Sequence, residues 1–404
     1  MKIAGITAEY NPLHDGHQYH IRKTRQCAGA EAVIAIISSD FTQRGEPSIV
    51  DKRARASMAV AGGADIVLEL SCVFSCRNAG IFADAAMDIF YATGLVNVVS
   101  FGTEADSGEK KLFENIARVL NDEPEEFKEA MKKFLDEGYS FVQSRSMALD
   151  LFIPGALDLL SKPNNNLALA YIKRIKEKNY EMETLHIRRA GIGFHDKEAK
   201  PGEYASAASV RAAIERDGIE AARGLIPNTC AGILSAEMAG GHAVIGKDRL
   251  WRAVKQALLR SQREEMADIA EMREGLENRM KRAAYEAASM DEFVGLCTSR
   301  RYPAGRIQRY CIHLLLNLRQ EPSRMFQDLG PAYIRVLAAN DAGREILKLM
   351  RKTATLPLLS KPGGKMTRYA SEIMSFERAA SEIWETLTDC PRPNAESRTH
   401  AVIG

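Results

Sequence analysis

The feature that most restricts the fold is a regular alternation of short apolar runs with helix-period segments over the first hundred residues. KIAGITAE (2–9), EAVIAIIS (31–38), DIVLEL (65–70) and VNVVSF (96–101) are the near-continuous apolar runs that strands covered on both faces require. Between them, Gly16 to Cys27, Asp51 to Ala61 and Ala79 to Ala92 carry helical spacing. Asp51 is placed to cap the second of these helices, with Gly62-Gly63 to end it and Gly94 to end the third. Strands joined through helices by short connections run parallel, with the helices covering both faces. The first part of the chain is therefore read as α/β, a Rossmann-like parallel sheet.

Charged, helix-period sequence from about 107 to 152 predicts a helical insertion in that sheet domain. The alternation resumes with a helix over Asn165–Lys176, a strand over Met182–Arg188 and a helix over Ser206–Arg216. After Ile226-Pro227 no run reads as a strand. Arg249–Leu259, Arg263–Ala288, Arg306–Leu318, Tyr333–Ala338, Ala342–Lys352 and Ser375–Thr386 suit helices, so a mainly α-helical domain is expected. A chain of 404 residues suits two or three domains. The expected division is 1–225 and 226–404, with GGHAVIGKD (240–248) as the connecting segment.

A formal net charge of +2 names no partner by itself. The seven cysteines contain no Cys-x-x-Cys and read as reduced thiols, with no metal site expected. Met1-Lys2 leads directly into a strand, and no stretch approaches the ~18 apolar residues of a membrane span. A cytoplasmic protein is expected.

Ligands of an open parallel sheet bind beyond the carboxyl ends of its strands, where Asn11 to His17 lies. Asn11-Pro12 makes a sharp turn, and Gly16 lets a nucleotide approach the backbone where a helix begins. His14 and His17, three apart, share one side of that first turn, where two imidazoles suit a triphosphate. They would stabilise charge growing at the α-phosphorus, by positioning and without a covalent nucleophile. The alternative is a capping histidine and a core histidine in an ordinary loop.

Other strand-end segments carry similar pairs of readings. The loop 40–47 holds Arg44, with Lys52 just beyond it: either a solvated turn or contacts to phosphate or a carboxylate substrate. Gly102 is a plain turn or a close approach to adenine or ribose. Asn164 and Asn165 are helix caps or ligands to the nucleotide. Arg189 is a surface arginine or a clamp on the outer phosphates. Ser206 caps a helix whose N-terminus, with Arg211 a turn later, suits an anion or is simply well capped. Arg300, Arg301, Arg306, Arg309 and Arg319 occur without one acidic residue between Cys297 and Arg319, with Tyr302 among them. Such a stretch fits an RNA backbone and one stacked base, or an ordinary basic helix.

Taken together these segments resemble the bacterial tRNA(Met) cytidine acetate ligases, within the His-x-Gly-His nucleotidyltransferases. EYNPLHDGH (9–17) resembles that family's EYNPFHNGH, and DFTQRGEPSIVDKRAR (40–55) follows its QRGEP run. SKPNNNLALAYIK (161–173), RAGIGFHD (189–196) and YASAASVR (204–211) match further segments. SRRYPAGRIQR (299–309) and YIRVLAANDAGREIL (333–347) extend the likeness to most of the chain. Asn166 in place of an aliphatic residue, Ala168 in place of glycine, and Pro303-Ala304-Gly305 depart from the pattern.

The resemblance implies an ATP site over Thr7, Ala8, Glu9, Tyr10, Asn11, Pro12, Leu13, His14, Asp15, Gly16, His17, Gln18, Tyr19 and His20. Gly102, Asn164 or Asn165, Arg188 or Arg189, Ser206 and Arg211 would complete it, with His14 and His17 catalytic and Mg²⁺ accompanying the nucleotide. It implies that acetate is activated as acetyl-adenylate and passed to N4 of the wobble cytidine of elongator tRNA(Met), releasing AMP and pyrophosphate. Arg300, Arg301, Tyr302, Arg306 and Arg309 would meet the tRNA, and Arg44 and Lys52 acetate or phosphate. The alternatives are a transferase or acetate ligase serving a small molecule or a carrier-protein thiol, and a non-catalytic RNA-binding protein that keeps ATP structurally.

Overall fold

The apolar runs form strands because each can bury both faces. In the computed structural model, which describes residues 1–104, 109–188, 204–273, 275–398 and 400–403, β2 (Ala32–Ser38) is buried along its whole length. Ile34 and Ile36 enter one core, while Val33, Ala35 and Ile37 enter another on the opposite face. β1 (Ile3–Ala8), β3 (Ile66–Leu70), β4 (Val98–Thr103) and β5 (Glu183–Arg188) pair with it in the order β5-β4-β1-β2-β3, all parallel. The chain moves outward from β1 through β2 to β3, then crosses back to place β4 on the other side of β1. The crevice of that reversal lies at the carboxyl end of β1.

The helices α1 (Asp15–Ala28), α2 (Lys52–Ala61), α3 (Cys72–Ser75) and α4 (Ala79–Ala92) connect these strands. As expected, Asp51 caps α2, its side chain accepting from the Ala54 amide at 2.7 Å. The insertion is helical: α5 (Lys110–Asp122), α6 (Glu125–Asp136), α7 (Phe141–Phe152) and α8 (Ala156–Ser161) precede α9 (Pro163–Glu177). After β5 come α10 (Ala207–Asp217) and α11 (Asn228–Ala239), then α12 (Asp248–Arg260), α13 (Arg263–Ala267), α14 (Leu276–Glu286), α15 (Met290–Cys297), α16 (Ala304–Leu315) and α17 (Gln320–Leu329). The α12–α16 group surrounds a third core built on Trp251, Phe293 and Tyr310. No helix among the described residues is long and apolar enough to cross a membrane.

Two expectations are corrected. The helix expected over Arg263–Ala288 is broken between α13 and α14, where Glu271 takes a positive φ of 64°. More consequentially, Tyr333–Ala338 is not helical. Ile334–Ala339 is a fully buried strand, β6, running antiparallel to β3. The small strands β7 (Leu358–Leu359) and β8 (Val402–Ile403) pair along its far side, and α18 (Asp341–Thr353), α19 (Arg368–Glu385) and α20 (Ala395–Arg398) complete the chain. A six-residue apolar run fits a strand or a turn and a half of buried helix, and the pairing partner that decides is far back in the sequence. The sheet thus takes strands from both sides of residue 226.

Lys52, expected to touch acetate or phosphate, is also corrected. It is fully buried, its Nζ lying 2.5 Å from Glu69, 2.7 Å from Glu377, 3.3 Å from Glu396 and 3.8 Å from Asp40. Burial alone would raise the Glu377 carboxyl. Lys52, the Ser39 hydroxyl and the Cys72 amide outweigh burial and hold it at about 2.

Replacing Lys52 by methionine strands these carboxylates and should lower the unfolding free energy by about 3–5 kcal/mol in denaturant titrations. An acetate contact would instead raise the KM for acetate at unchanged stability. Because the folded pKa of Glu377 is depressed from 4.5 to about 2, its contribution is present above pH 4.5 and lost as pH falls toward 2. The stability advantage of the wild type over Glu377→Gln should shrink through that window.

Candidate active site

The loop after β1 is held from beneath by Arg55 of α2. This fully buried guanidinium donates from NH1 to the Glu9 carbonyl (2.8 Å), from NH2 to the Ser39 carbonyl (2.7 Å) and from Nε to the Val50 carbonyl (3.2 Å). It ties the ends of β1 and β2 to the segment entering α2. Asn11 extends the bracing, with Oδ1 accepting from the Ile49 amide at 2.7 Å and its carbonyl from Arg211 NH1 at 2.8 Å. Five backbone acceptors and amides in this loop system therefore have fixed partners before any ligand arrives.

On this base stand the two histidines. His14 is the N-cap of α1, and its Nδ1 accepts from the Gly16 amide at 3.1 Å. His17 Nδ1 accepts from the His14 amide at 3.3 Å, and the rings stack with centroids 3.7 Å apart. A ring nitrogen that accepts carries no proton, so both rings hold theirs on Nε2, as donors. Tyr10 packs its ring edge against His17 at 5.0 Å. Gly16 leaves no room for a side chain: a Cβ there would lie 2.9 Å from His14 Cε1 and 3.2 Å from Tyr204 Cβ.

Both histidines line a cleft of about 700 Å³. Thr7, Ala8, Glu9, Tyr10, Asn11, Gly16, Tyr19 and His20 share this wall. Gly102, Glu104, Pro163, Asn164 and Arg188 form the β4–β5 side. Opposite lies the N-terminus of α10, where Ser206 caps the Ser209 amide at 3.1 Å and Arg211 donates to Glu46 at 2.9 Å. The last wall comes from α16: Ala304, Gly305, Gln308 and Arg309. It packs on the β2 loop, where Gly45 has φ +77° and a Cβ would fall 2.3 Å from the Arg309 amide nitrogen. Only glycine fits both the conformation and the contact.

A family model described as HIGH Nucleotidyl Transferase matches residues 1–399. The chain is 34% identical to a protein named tRNA(Met) cytidine acetate ligase from Syntrophomonas wolfei, over 98% of each chain. It is 31% identical to one of the same name from Halothermothrix orenii, over 97% of this chain and 96% of the other. The chain belongs to the tRNA(Met) cytidine acetate ligase family. Crystal structures of Thermotoga maritima TmcAL, 28% identical, match all of it and 99% of their own chains, with TM-scores of 0.94 for the apo form and 0.91 for the form bound with alpha-thio ATP.

Against this family background, the structure sorts the expected residues. Asn164 lines the cleft and donates to Glu104. Asn165 is buried beneath it, accepting from the Glu104 amide (3.0 Å) and donating to the Leu159 carbonyl (2.9 Å). Arg44 and Arg309 reach the cleft; Arg189 lies outside the described residues. Pro12, Leu13, Asp15 and Gln18 belong to the same segment but do not line it, Leu13 being fully buried in the core. Tyr302, expected to stack on a base, is instead buried with its hydroxyl donating to the Arg273 carbonyl at 3.1 Å. Arg306 sits over the Tyr302 and Tyr310 rings; Arg300, Arg301 and Arg306 all lie away from the cleft lining. Sequence reasoning missed Arg55, Gln43, Glu46, Glu104, Tyr171 and Gln308. The QRGEP loop and the FGTE turn were visible, but nothing local said which of their side chains face inward.

Gly16→Ala should displace the His14 ring and cost about a hundredfold in ATP–pyrophosphate exchange, as misplacement by about an ångström does. The first turn of α1 tolerates alanine well, so the thermal midpoint should stay close to wild type.

Proposed function

We propose that this protein uses ATP to activate acetate as acetyl-adenylate and acetylates N4 of the wobble cytidine of elongator tRNA(Met). The supporting observation is the shared cleft: one cavity is walled both by the histidine pair of the sheet and by the basic helix α16. A site that made only an adenylate would need the first wall alone.

In the first step a carboxylate oxygen of acetate attacks the α-phosphorus, an O–P bond forms, and pyrophosphate departs with the electrons of the broken bond. The Nε2–H groups of His14 and His17 face the growing charge on the phosphate oxygens. The N-termini of α1 and α10 add their partial positive charge, with Arg211 and Arg44 alongside. Among the described residues no group of three or more His, Cys, Asp or Glu side chains is placed to hold a metal ion. Mg²⁺ would accompany ATP and neutralise its phosphates, keeping most of its water because it dehydrates reluctantly. In the second step the mixed anhydride is already activated, and positioning of the cytosine amine supplies most of the remaining acceleration. Arg300 and Arg301, exposed beside the α16 wall, are the contacts we assign to tRNA phosphates.

Incubation with ATP, acetate and tRNA(Met) should add one acetyl group to a cytidine, read by mass spectrometry; no gain with folded protein and Mg²⁺ would refute the reading. His14→Ala should lower that rate about a hundredfold or more. Arg301→Ala should weaken tRNA binding with little effect on acetate-dependent ATP–pyrophosphate exchange, and reduce the salt dependence of binding by about one counterion.

A further inference from the structure

The cytosine amine is a poor nucleophile, because its lone pair is delocalised into the ring and attack leaves nitrogen with a proton to lose. A carboxylate that accepts a hydrogen bond from N4 serves both recognition and proton removal, since N4–H₂ is the donor that distinguishes cytosine. Among the described residues three carboxylates line the cleft: Glu9, Glu46 and Glu104. Glu46 is engaged at both oxygens, by Arg211 at 2.9 Å and by Gln308 at 3.5 Å. Glu104 directly follows β4 and is already engaged by Asn164, whose side-chain amide donates to its Oε1.

Glu9 differs from both. Its Oε1 accepts from the Gln43 amide at 3.0 Å and its carbonyl from Arg55, so backbone and carboxyl are held from two directions. Its Oε2 has no hydrogen bond or ion pair among the described residues. Glu9 directly follows β1, five residues before His14, and leans on the β2 loop against which α16 packs. It therefore stands between the α-phosphate position and the wall from which an RNA would arrive.

We propose that Glu9 is the base of the acyl-transfer step, its Oε2 holding the exocyclic amine of the target cytidine. N4 attacks the acyl carbon, the new C–N bond forms, and the C–O bond to phosphate breaks with AMP leaving as the anion. The surplus N4 proton passes to Glu9 Oε2 and from there to water. Adenylate formation moves no proton and has no use for this group.

The assignment rests on cytidine acetylation being the reaction, and the test separates the two. Acetate-dependent ATP–pyrophosphate exchange and tRNA acetylation are measured on the full chain for the wild type, Glu9→Gln and Glu104→Gln. Glutamine keeps the bond to the Gln43 amide but cannot take a proton. Single-turnover acetyl transfer by Glu9→Gln should fall at least a hundredfold further than its exchange rate does, and Glu104→Gln should not show that split. Equal loss of both steps, or transfer within a few-fold of wild type, overturns the role of Glu9. If the wild type exchanges pyrophosphate but acetylates no cytidine, the parent reading fails instead.

Discussion

Two buried cations on a single turn of α2 hold the rest of the structure in place. Lys52 gathers carboxylates from β3, α19, α20 and the end of β2; Arg55 gathers the carbonyls that end β1 and β2. Neither cation would be tolerable in the interior alone, and neither set of acceptors would be satisfied without them. The cost of desolvation is met because each cation is saturated by partners that the fold brings from distant parts of the chain. Ser381 donating to Asp40 at 2.7 Å and Trp384 donating to the Ser48 carbonyl at 2.9 Å reinforce the same junction.

This arrangement explains how a loop site is made rigid. Loops that carry chemistry are ordinarily the mobile parts of a fold. Here the start of the histidine loop, the end of β2 that leads into the QRGEP loop and the entry to α2 share one guanidinium. Gly45 then fixes α16 against that unit through backbone contact. The two walls of the cleft are thereby joined directly, which suits the proposed reaction, in which an activated intermediate meets a second substrate.

What was readable in the sequence was local or periodic. The parallel strands showed as apolar runs, and the histidine pair showed because residues three apart on a helix necessarily share a side. The misreadings were of residues whose meaning depends on distant partners. Lys52 looks like a phosphate ligand until Glu69, Glu377 and Glu396 are known to surround it. Tyr302 looks like a stacking platform until the carbonyl of Arg273 claims its hydroxyl. β6 shows the same limit at the level of an element: the run Tyr333–Ala338 suits a helix until β3 is known to pair with it, and its Arg335 is buried against Glu396 at 3.3 Å.

The same long-range pairing bears on what a domain means in this chain. The α12–α16 group is built around one apolar core, but Phe41, Cys72, Cys76 and Trp384 of the sheet side and α19 enter the same core. The residues that follow do not stay with it. β6 returns to cover the edge of β3, α19 supplies Glu377, and α20 supplies Glu396. A chain ending near residue 225 would expose the β3 edge, which is a site for unwanted strand pairing. It would also leave Lys52 with only Glu69 and Asp40. The wall that carries the histidines is therefore braced by segments that lie beyond the second wall in sequence, and the α12–α16 helices are enclosed by the sheet's own chain rather than appended to it.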